Sequence, residues 1–283
     1  MIDTAIILAG GQGERLRPIT DTIPKPLIPV AGRSLLERSM DRLIAHGVTN
    51  IVVNVVHLGE QIAVRLKGRA QIVHEERLLD TGASVKNALP LLGDSPFFVL
   101  NGDGLWRENS GTILEQLEMK WNPARMDALL LLHPIHKVIG REAMDRGDFF
   151  VERGGRLRHR GVASLAPFVF ASVSVCDARL FEDSPEAPFT LIKFWNRAEA
   201  RGRLFGVFND GDWFQIGTPE ALVEAERVLA YDQRNQHMPV LQQAACCNVA
   251  CRFEVSSYRQ RSPIALDRGS AEIQIRAVDG KQV

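Results

Sequence analysis

The stretch Leu8-Ala9-Gly10-Gly11-Gln12-Gly13-Glu14-Arg15-Leu16-Arg17-Pro18 decides how the rest of the chain is read. It follows an apolar run, Thr4–Leu8, which predicts a buried first strand. Gly10, Gly11 and Gly13 lack a Cβ, so the backbone can take positive φ values there and approach a ligand closely. Successive N–H groups in such a loop can converge on phosphate oxygens. Arg15, Arg17 and, slightly further on, Lys25 of Pro24-Lys25-Pro26-Leu27 add cationic donors. Arginine suits planar two-point contacts and lysine acts as a mobile point charge. A strand, a glycine loop and three cations together ask for a polyphosphate.

The loop carries neither of the two common phosphate fingerprints. It lacks the glycine-lysine-serine/threonine ending of a P-loop and the third glycine of a dinucleotide site. The compound pattern is more specific: glycine-x-glycine-x-arginine-x-arginine-proline over Gly11–Pro18, then proline-lysine-proline-leucine over 24–27. This pair of segments resembles the signature of the sugar-phosphate nucleotidyltransferases (NDP-sugar pyrophosphorylases). Within that family the chain looks most like the short bacterial N-acetylmuramate-1-phosphate uridylyltransferase type. Mannose-1-phosphate guanylyltransferase-like proteins are close behind. The resemblance covers roughly residues 2–231.

Working outward, strand and helix patterns alternate. Ser34 and Glu37 form a capping box for a helix whose apolar stripe is Leu36, Met40, Leu43 and Ile44, closed by Gly47. Strands are predicted at 50–56, 71–74, 96–100, 127–132, 167–175 and 204–208, with a hairpin turn at Gly154-Gly155. Helices are predicted at 58–67, 83–92, 111–121, within 186–201, and at 220–231. Phe189, Ile192, Phe194 and Trp195 are read as the apolar side of the fifth. This alternation predicts an α/β fold: a doubly wound, mostly parallel Rossmann-like sheet with helices on both faces and ligands at the carboxyl ends of its strands. Lys137–Arg146 reads as a mobile surface loop near that site.

The resemblance distributes roles over these elements. Arg15, Lys25 and Asp103 are the implied catalytic residues, with the nucleotide against Leu8, Ala9, Gly10, Gly11, Gly13 and Asn101. Leu79-Asp80-Thr81-Gly82 matches a family segment that lies against the nucleobase, which marks Leu79, Thr81 and Gly82. Read alone, Thr81 caps the following helix and Gly82 lets a flat base approach. Asp103 ends a strand beside the phosphate loop, where Mg²⁺ takes one or two carboxylates and completes its shell with water and phosphate oxygens. The implied sugar contacts are Asp148, Ser172 and Lys193. Asp148 reads equally as a strand-edge aspartate, and Lys193 as a solvated helix lysine.

One position departs from the family pattern. Asp212-Trp213-Phe214-Gln215-Ile216-Gly217-Thr218-Pro219 has glutamine where family members carry the second metal-binding aspartate. A neutral carbonyl there implies weaker or water-mediated Mg²⁺ binding through Gln215. Asp212 and Asp210 are an odd number of positions away, so on an extended segment they face the other side. This departure leaves open a second reading, a catalytically silent nucleotide-binding regulatory protein on the same fold.

Composition bounds the rest. The 283 residues are 45% hydrophobic and 24% charged, with 34 Lys+Arg balancing 34 Asp+Glu. Zero net charge argues against a general nucleic-acid or anionic-membrane surface. No apolar run approaches spanning length and the N-terminus enters a strand directly, so a cytoplasmic protein is expected. The four cysteines, Cys176, Cys246, Cys247 and Cys251, read as free thiols. The expected partners are an NTP and a sugar 1-phosphate, with oligomeric state open. Residues 1–237 form the expected catalytic domain and 238–283 a poorly ordered or loosely docked tail without hexapeptide repeats.

Overall fold

In the computed structural model, which describes residues 1–142 and 145–236, the apolar run Thr4–Leu8 is strand β1 in the middle of the main sheet. The chain continues through β2 (Pro29–Val30), β3 (Arg33–Ser34), α1 (Leu35–His46), β4 (Asn50–Val55), α2 (Gly59–Leu66), β5 (Gln71–His74), α3 (Thr81–Leu92) and β6 (Phe97–Asn101). It then forms β7 (Leu105–Trp106), α4 (Ile113–Lys120), β8 (Ala128–Pro134), β9 (Phe149–Val151), β10 (Leu157–His159) and β11 (Phe168–Cys176). α5 (Leu191–Ala200), β12 (Leu204–Phe208), β13 (Trp213–Phe214) and α6 (Pro219–Gln236) complete it. The chain divides into two units, Met1–Asp232 and Gln233–Val283. The expected tail and its three cysteines lie outside the described residues.

The main sheet runs β5-β4-β1-β6-β11-β8-β12, with the β9–β10 hairpin joined to the start of β11. β1 pairs in parallel with β4 and β6, β4 with β5, and β8 with β12. β11 is antiparallel to both β6 and β8, so six of these seven strands run one way and β11 runs the other. β8 skips a place beside β6, and the chain returns to fill it from the opposite end. The consequence for function is direct: the beginning of β11 lies at the same end of the sheet as the carboxyl ends of β1 and β6.

Both faces are covered. Ala5 and Ile7 of β1 pack with Leu36, Met40 and Leu43 of α1 and Ile62 and Leu66 of α2. Ile6, pointing to the other face, packs with Ala88 and Leu92 of α3 and Phe194 and Trp195 of α5. This is the expected doubly wound arrangement. A third cluster, Leu16, Ile28, Leu35, Leu105, Phe214, Ile216 and Ala225, roots the glycine loop and α6. Among the described residues no helix is long and apolar enough to cross a membrane.

The capping box of α1 forms as read, with the Ser34 hydroxyl accepting from Glu37 N–H and the Glu37 carboxylate accepting from Ser34 N–H. Ile44, however, is 49% exposed. At about 100° per residue the buried arc takes in Leu35 and Ser39 and leaves Ile44 at its rim. Helix α5 begins only at Leu191. Phe189 therefore precedes it, and Ile192 points outward while Leu191 and Phe194 face the core. Cys176 is a free, buried thiol whose pKa burial pushes up to about 12.

Candidate active site

The glycine loop leaves β1 at its carboxyl end, and each glycine has its own reason. Gly13 alone takes a positive φ, 64°, and a Cβ there would lie 2.8 Å from Thr20, whose hydroxyl donates to the Gly13 carbonyl. Gly10 has no such φ; a Cβ would crowd Asn54 and Val56 at 3.0 Å. Gly11 faces open space. The positive φ expected of these glycines is taken by Gly13 and not by Gly10 or Gly11, and Gly10 is small because of what packs behind it.

Asn54 is part of a buried network under this loop. Its Oδ1 accepts from Ala9 N–H at 3.0 Å, and its Nδ2 donates to Glu75 Oε1 at 3.2 Å. Ser84 donates to Glu75 Oε2 at 3.1 Å. Burial pushes the Glu75 carboxyl up from its ordinary value, against the lowering effect of these two donors. The network fixes the backbone where Leu8, Ala9, Gly10 and Gly11 line a lobe of about 310 Å³ with Asn54, Leu78, Asp80, Thr81, Ser84 and Asn101.

Sequence reasoning placed the helix cap and the leucine one residue off. Asp80, at φ 68°, caps α3 by accepting from Thr81 N–H. Thr81 is the first helical residue, and its hydroxyl accepts from Leu191 N–H at the start of α5. Gly82 and Ala83 N–H both donate to Phe189 O, and a Cβ on Gly82 would lie 2.8 Å from the Thr190 backbone. Gly82 is thus glycine so that α3 can touch the chain entering α5, and it does not line the lobe. Leu79 packs into the core, while Leu78 lines the lobe.

Lys25 and Asp103 stand at the centre. Lys25 Nζ donates to Asp103 Oδ2 at 2.6 Å, with the lysine largely buried and the aspartate open to the cleft. Gly102 lets the turn after β6 lie against β1, since a Cβ would meet Leu8 O at 2.7 Å. Both charged residues line the small lobe, a rim lobe of about 590 Å³ along Gly11, Gln12, Gly13, Glu14 and Arg15, and a lobe of about 430 Å³, the large one of the two that share Asn101. The sequence readings for Leu8, Ala9, Gly10, Gly11, Gly13, Thr81 and Asn101 therefore converge on one cleft.

The large lobe draws on distant parts of the chain. β7 and β13 pair as a two-residue ribbon, Trp213 with Trp106 and Phe214 with Leu105, which brings Gln215 into the same lobe as Asp103. Asp212 is bound to Arg107 and Asp210 to Asn109, so neither replaces Gln215. Ser172, with φ 66° at a bulge in β11, and Phe170 line the lobe, while Ala171 is buried between them. Asp148 also lines it; its Oδ2 accepts from Phe170 N–H at 2.9 Å, and burial pushes its pKa up. Lys193 is exposed on α5 and does not line the cleft, because the helix turns Leu191, Phe194 and Trp195 inward. Arg17 pairs with Asp21 instead of entering the cleft.

The loop after β8 is held at two points. Ile139 N–H donates to Trp213 O and its carbonyl accepts from Gln215 N–H. Glu142 pairs with Arg15 across the rim, over Gly217, where a Cβ would meet the Glu142 carboxylate. The loop read from sequence as mobile is thus tethered at Ile139 and Glu142. Asn54, Glu75, Ser84, Glu142 and Arg160 were not singled out from sequence, because each is an ordinary residue until the fold brings it to the cleft.

A family model described as Nucleotidyl transferase matches residues 4–231. The N-acetylmuramate alpha-1-phosphate uridylyltransferase of Caulobacter vibrioides is 37% identical over 80% of this chain and 96% of that protein. The protein of the same name from Neisseria meningitidis is 32% identical over 78% and 96%. The solved inositol-1-phosphate CTP transferase of T. maritima shares the fold, with a TM-score of 0.62 at 19% identity over 80% of this chain and 96% of that one.

Proposed function

The chain belongs to the nucleotidyl transferase family and is a sugar-1-phosphate nucleotidyltransferase, and from that premise we propose that its substrates are UTP and N-acetylmuramate 1-phosphate. The observation that carries the substrate choice is the likeness to the Caulobacter protein along nearly its whole length. The cleft supports the reaction. Three lobes meet at Lys25 and Asp103, where a reacting phosphate would be shared by a nucleotide on one side and a sugar phosphate on the other.

In this reading the base lies in the small lobe against Leu8–Gly11 and Thr81, and the triphosphate follows Gly11, Gly13 and Arg15. The sugar occupies the large lobe with Asp148 and Ser172. An oxygen of the sugar 1-phosphate attacks the α-phosphorus in line and pyrophosphate leaves. The nucleophile is already an anion, so no general base is required. What the protein supplies is position and charge compensation. Lys25, held by Asp103, offsets charge around the α-phosphate, and Arg15 exchanges Glu142 for a phosphate.

The cofactor proposed is Mg²⁺. Asp103 and Gln215 line the same lobe, and a carboxylate oxygen and an amide carbonyl are hard donors, a chemistry that suits Mg²⁺ completed by water and phosphate oxygens. When bound, the ion would neutralise charge on those oxygens. Gln215 brings no negative charge, so Asp103 is the single carboxylate expected on the metal.

The test is pyrophosphate release with Mg²⁺, crossing the common NTPs with N-acetylmuramate 1-phosphate and mannose 1-phosphate. Release with UTP and the muramate, reduced by orders of magnitude in Lys25→Met and Asp103→Ala, bears the proposal out. Release only with GTP and mannose 1-phosphate would replace both substrates. Silence in every combination, with a nucleotide still binding, would leave a regulatory nucleotide-binding protein.

A further inference from the structure

Besides Arg15 and Lys25, the large lobe carries two cations that a neutral sugar does not call for, Arg146 and Arg160. β11 gives the order of contacts. Ser172 packs against Gly104, beside Asp103, since a Cβ on Gly104 would lie 2.9 Å from it. Two residues earlier, Phe170 N–H meets Asp148. Phe170 and Ser172 lie at the bulge of β11, so they mark successive points along the lobe.

Beyond Asp148 lies Arg160. Its backbone N–H donates to the Asp148 carbonyl at 2.6 Å. Its guanidinium is anchored by Nε to Gly147 O at 2.9 Å and by one terminal nitrogen to Ala163 O at 2.8 Å. A guanidinium has five N–H donors, so these bonds fix its orientation and leave most of its hydrogen-bonding capacity for the lobe it lines. Arg146 lines the same lobe. It is exposed, and among the described residues its guanidinium has no hydrogen-bond or ion-pair partner.

The acids nearby are already engaged. Asp145 Oδ2 accepts from Glu142 N–H, and Asp148 Oδ2 accepts from Phe170 N–H. Burial raises the Asp148 carboxyl, while the Phe170 N–H and the nearby His159 and Arg160 lower it. A fixed, half-buried arginine beside an unpaired one is a fork for a planar two-oxygen anion.

We infer that Arg160 and Arg146 receive a carboxylate borne by the sugar ring on the side away from its phosphate, which makes acidic sugar 1-phosphates the substrate class of the large lobe. The inference rests on the sugar-1-phosphate reading of this lobe. It supplies a physical reason for muramate, whose lactyl ether carries such a group, over N-acetylglucosamine, which lacks it.

The experiment measures KM for N-acetylmuramate 1-phosphate and the competitive inhibition constant of N-acetylglucosamine 1-phosphate in the same uridylyl-transfer assay. Wild type is compared with Arg146→Lys, Arg146→Gln and Arg146→Glu. Arg146 is chosen because its side chain holds nothing else in place. Arg160→Lys, which keeps the charge but loses the fork, is the second variant. The preference for the acidic sugar should fall at least tenfold in Arg146→Gln and further in Arg146→Glu, with Arg146→Lys between wild type and Arg146→Gln. Equal weakening of both sugars would place the arginines on the phosphate they share and overturn the inference. An unchanged preference would overturn it as well. Wild-type turnover of N-acetylmuramate 1-phosphate is read first and judges the proposed substrate independently. An inactive wild type fails the function, whereas an active wild type with indifferent variants fails only the carboxylate site.

Discussion

Lys25 and Asp103 balance each other's charge at 2.6 Å in the cleft proposed to accept phosphates. Gln215 shares that lobe without a charge of its own. Gln215→Asp adds a second carboxylate and should lower the Mg²⁺ concentration that gives half-maximal rate by about tenfold, a change of about 1.4 kcal/mol in metal binding. A metal titration of the rate checks it, and an unchanged midpoint would remove residue 215 from the metal's surroundings. Much of this chemistry was legible residue by residue. Lys25, Asp103 and the glycine loop lie in short segments whose spacing is itself informative. Asn54, Glu75 and Ser84 were not, because they come from β4, the chain after β5 and α3, and only the sheet brings them together. Lys193 was misplaced for the converse reason: its neighbours are informative, but which side of α5 faces inward is decided by α3.

At the scale of elements, strand-helix alternation announced the doubly wound sheet, and the boundaries of β1, β5 and β12 were read directly. The direction of β11 was not readable, since an apolar run has the same pattern whichever way it is traversed. The β7–β13 ribbon is two residues long on each side and has no periodicity to detect. Two predictions belong here. Gly82→Ala would force its Cβ against the Thr190 backbone at the α3–α5 contact and should destabilise the fold by about 1–3 kcal/mol, measured by urea unfolding. The loop after β8 contributes Glu142, which occupies Arg15. Glu142→Gln should strengthen UTP binding severalfold, because the triphosphate no longer displaces an ion pair; the gain should shrink as salt screens the exposed pair. Calorimetric titration with UTP at low and high ionic strength checks both parts.

For the molecule as a whole, three partly buried carboxyls, beside the exposed Glu220 that hydrogen bonds lower, shape stability against pH. Hydrogen bonding to Arg65 holds Glu37 down at about 2, so its contribution is present above the unfolded value of 4.5 and fades as pH falls towards 2. Burial raises Glu75 and Asp148. Their contributions are full below the unfolded values of 4.5 and 3.8 and are lost as pH rises through the folded ones. Together these groups favour a stability maximum on the acid side of neutrality. Glu75→Gln keeps an acceptor for Asn54 and can donate to the Ser84 hydroxyl, so it should flatten the decline towards neutral pH. Urea midpoints for both proteins between about pH 4 and 8 would show it.

The β7–β13 ribbon carries a further consequence. It joins positions more than a hundred residues apart, as do the Arg15–Glu142 and Arg107–Asp212 pairs. Contacts of such sequence separation carry a loop-closure cost that local ones do not. A chain still emerging from the ribosome can complete β1, α1 and β4 and present its glycine loop long before Gln215 and Gly217 exist to close the cleft. Competence to bind both substrates is therefore acquired near the end of folding, and simultaneous occupancy would serve as a clock for the last docking event.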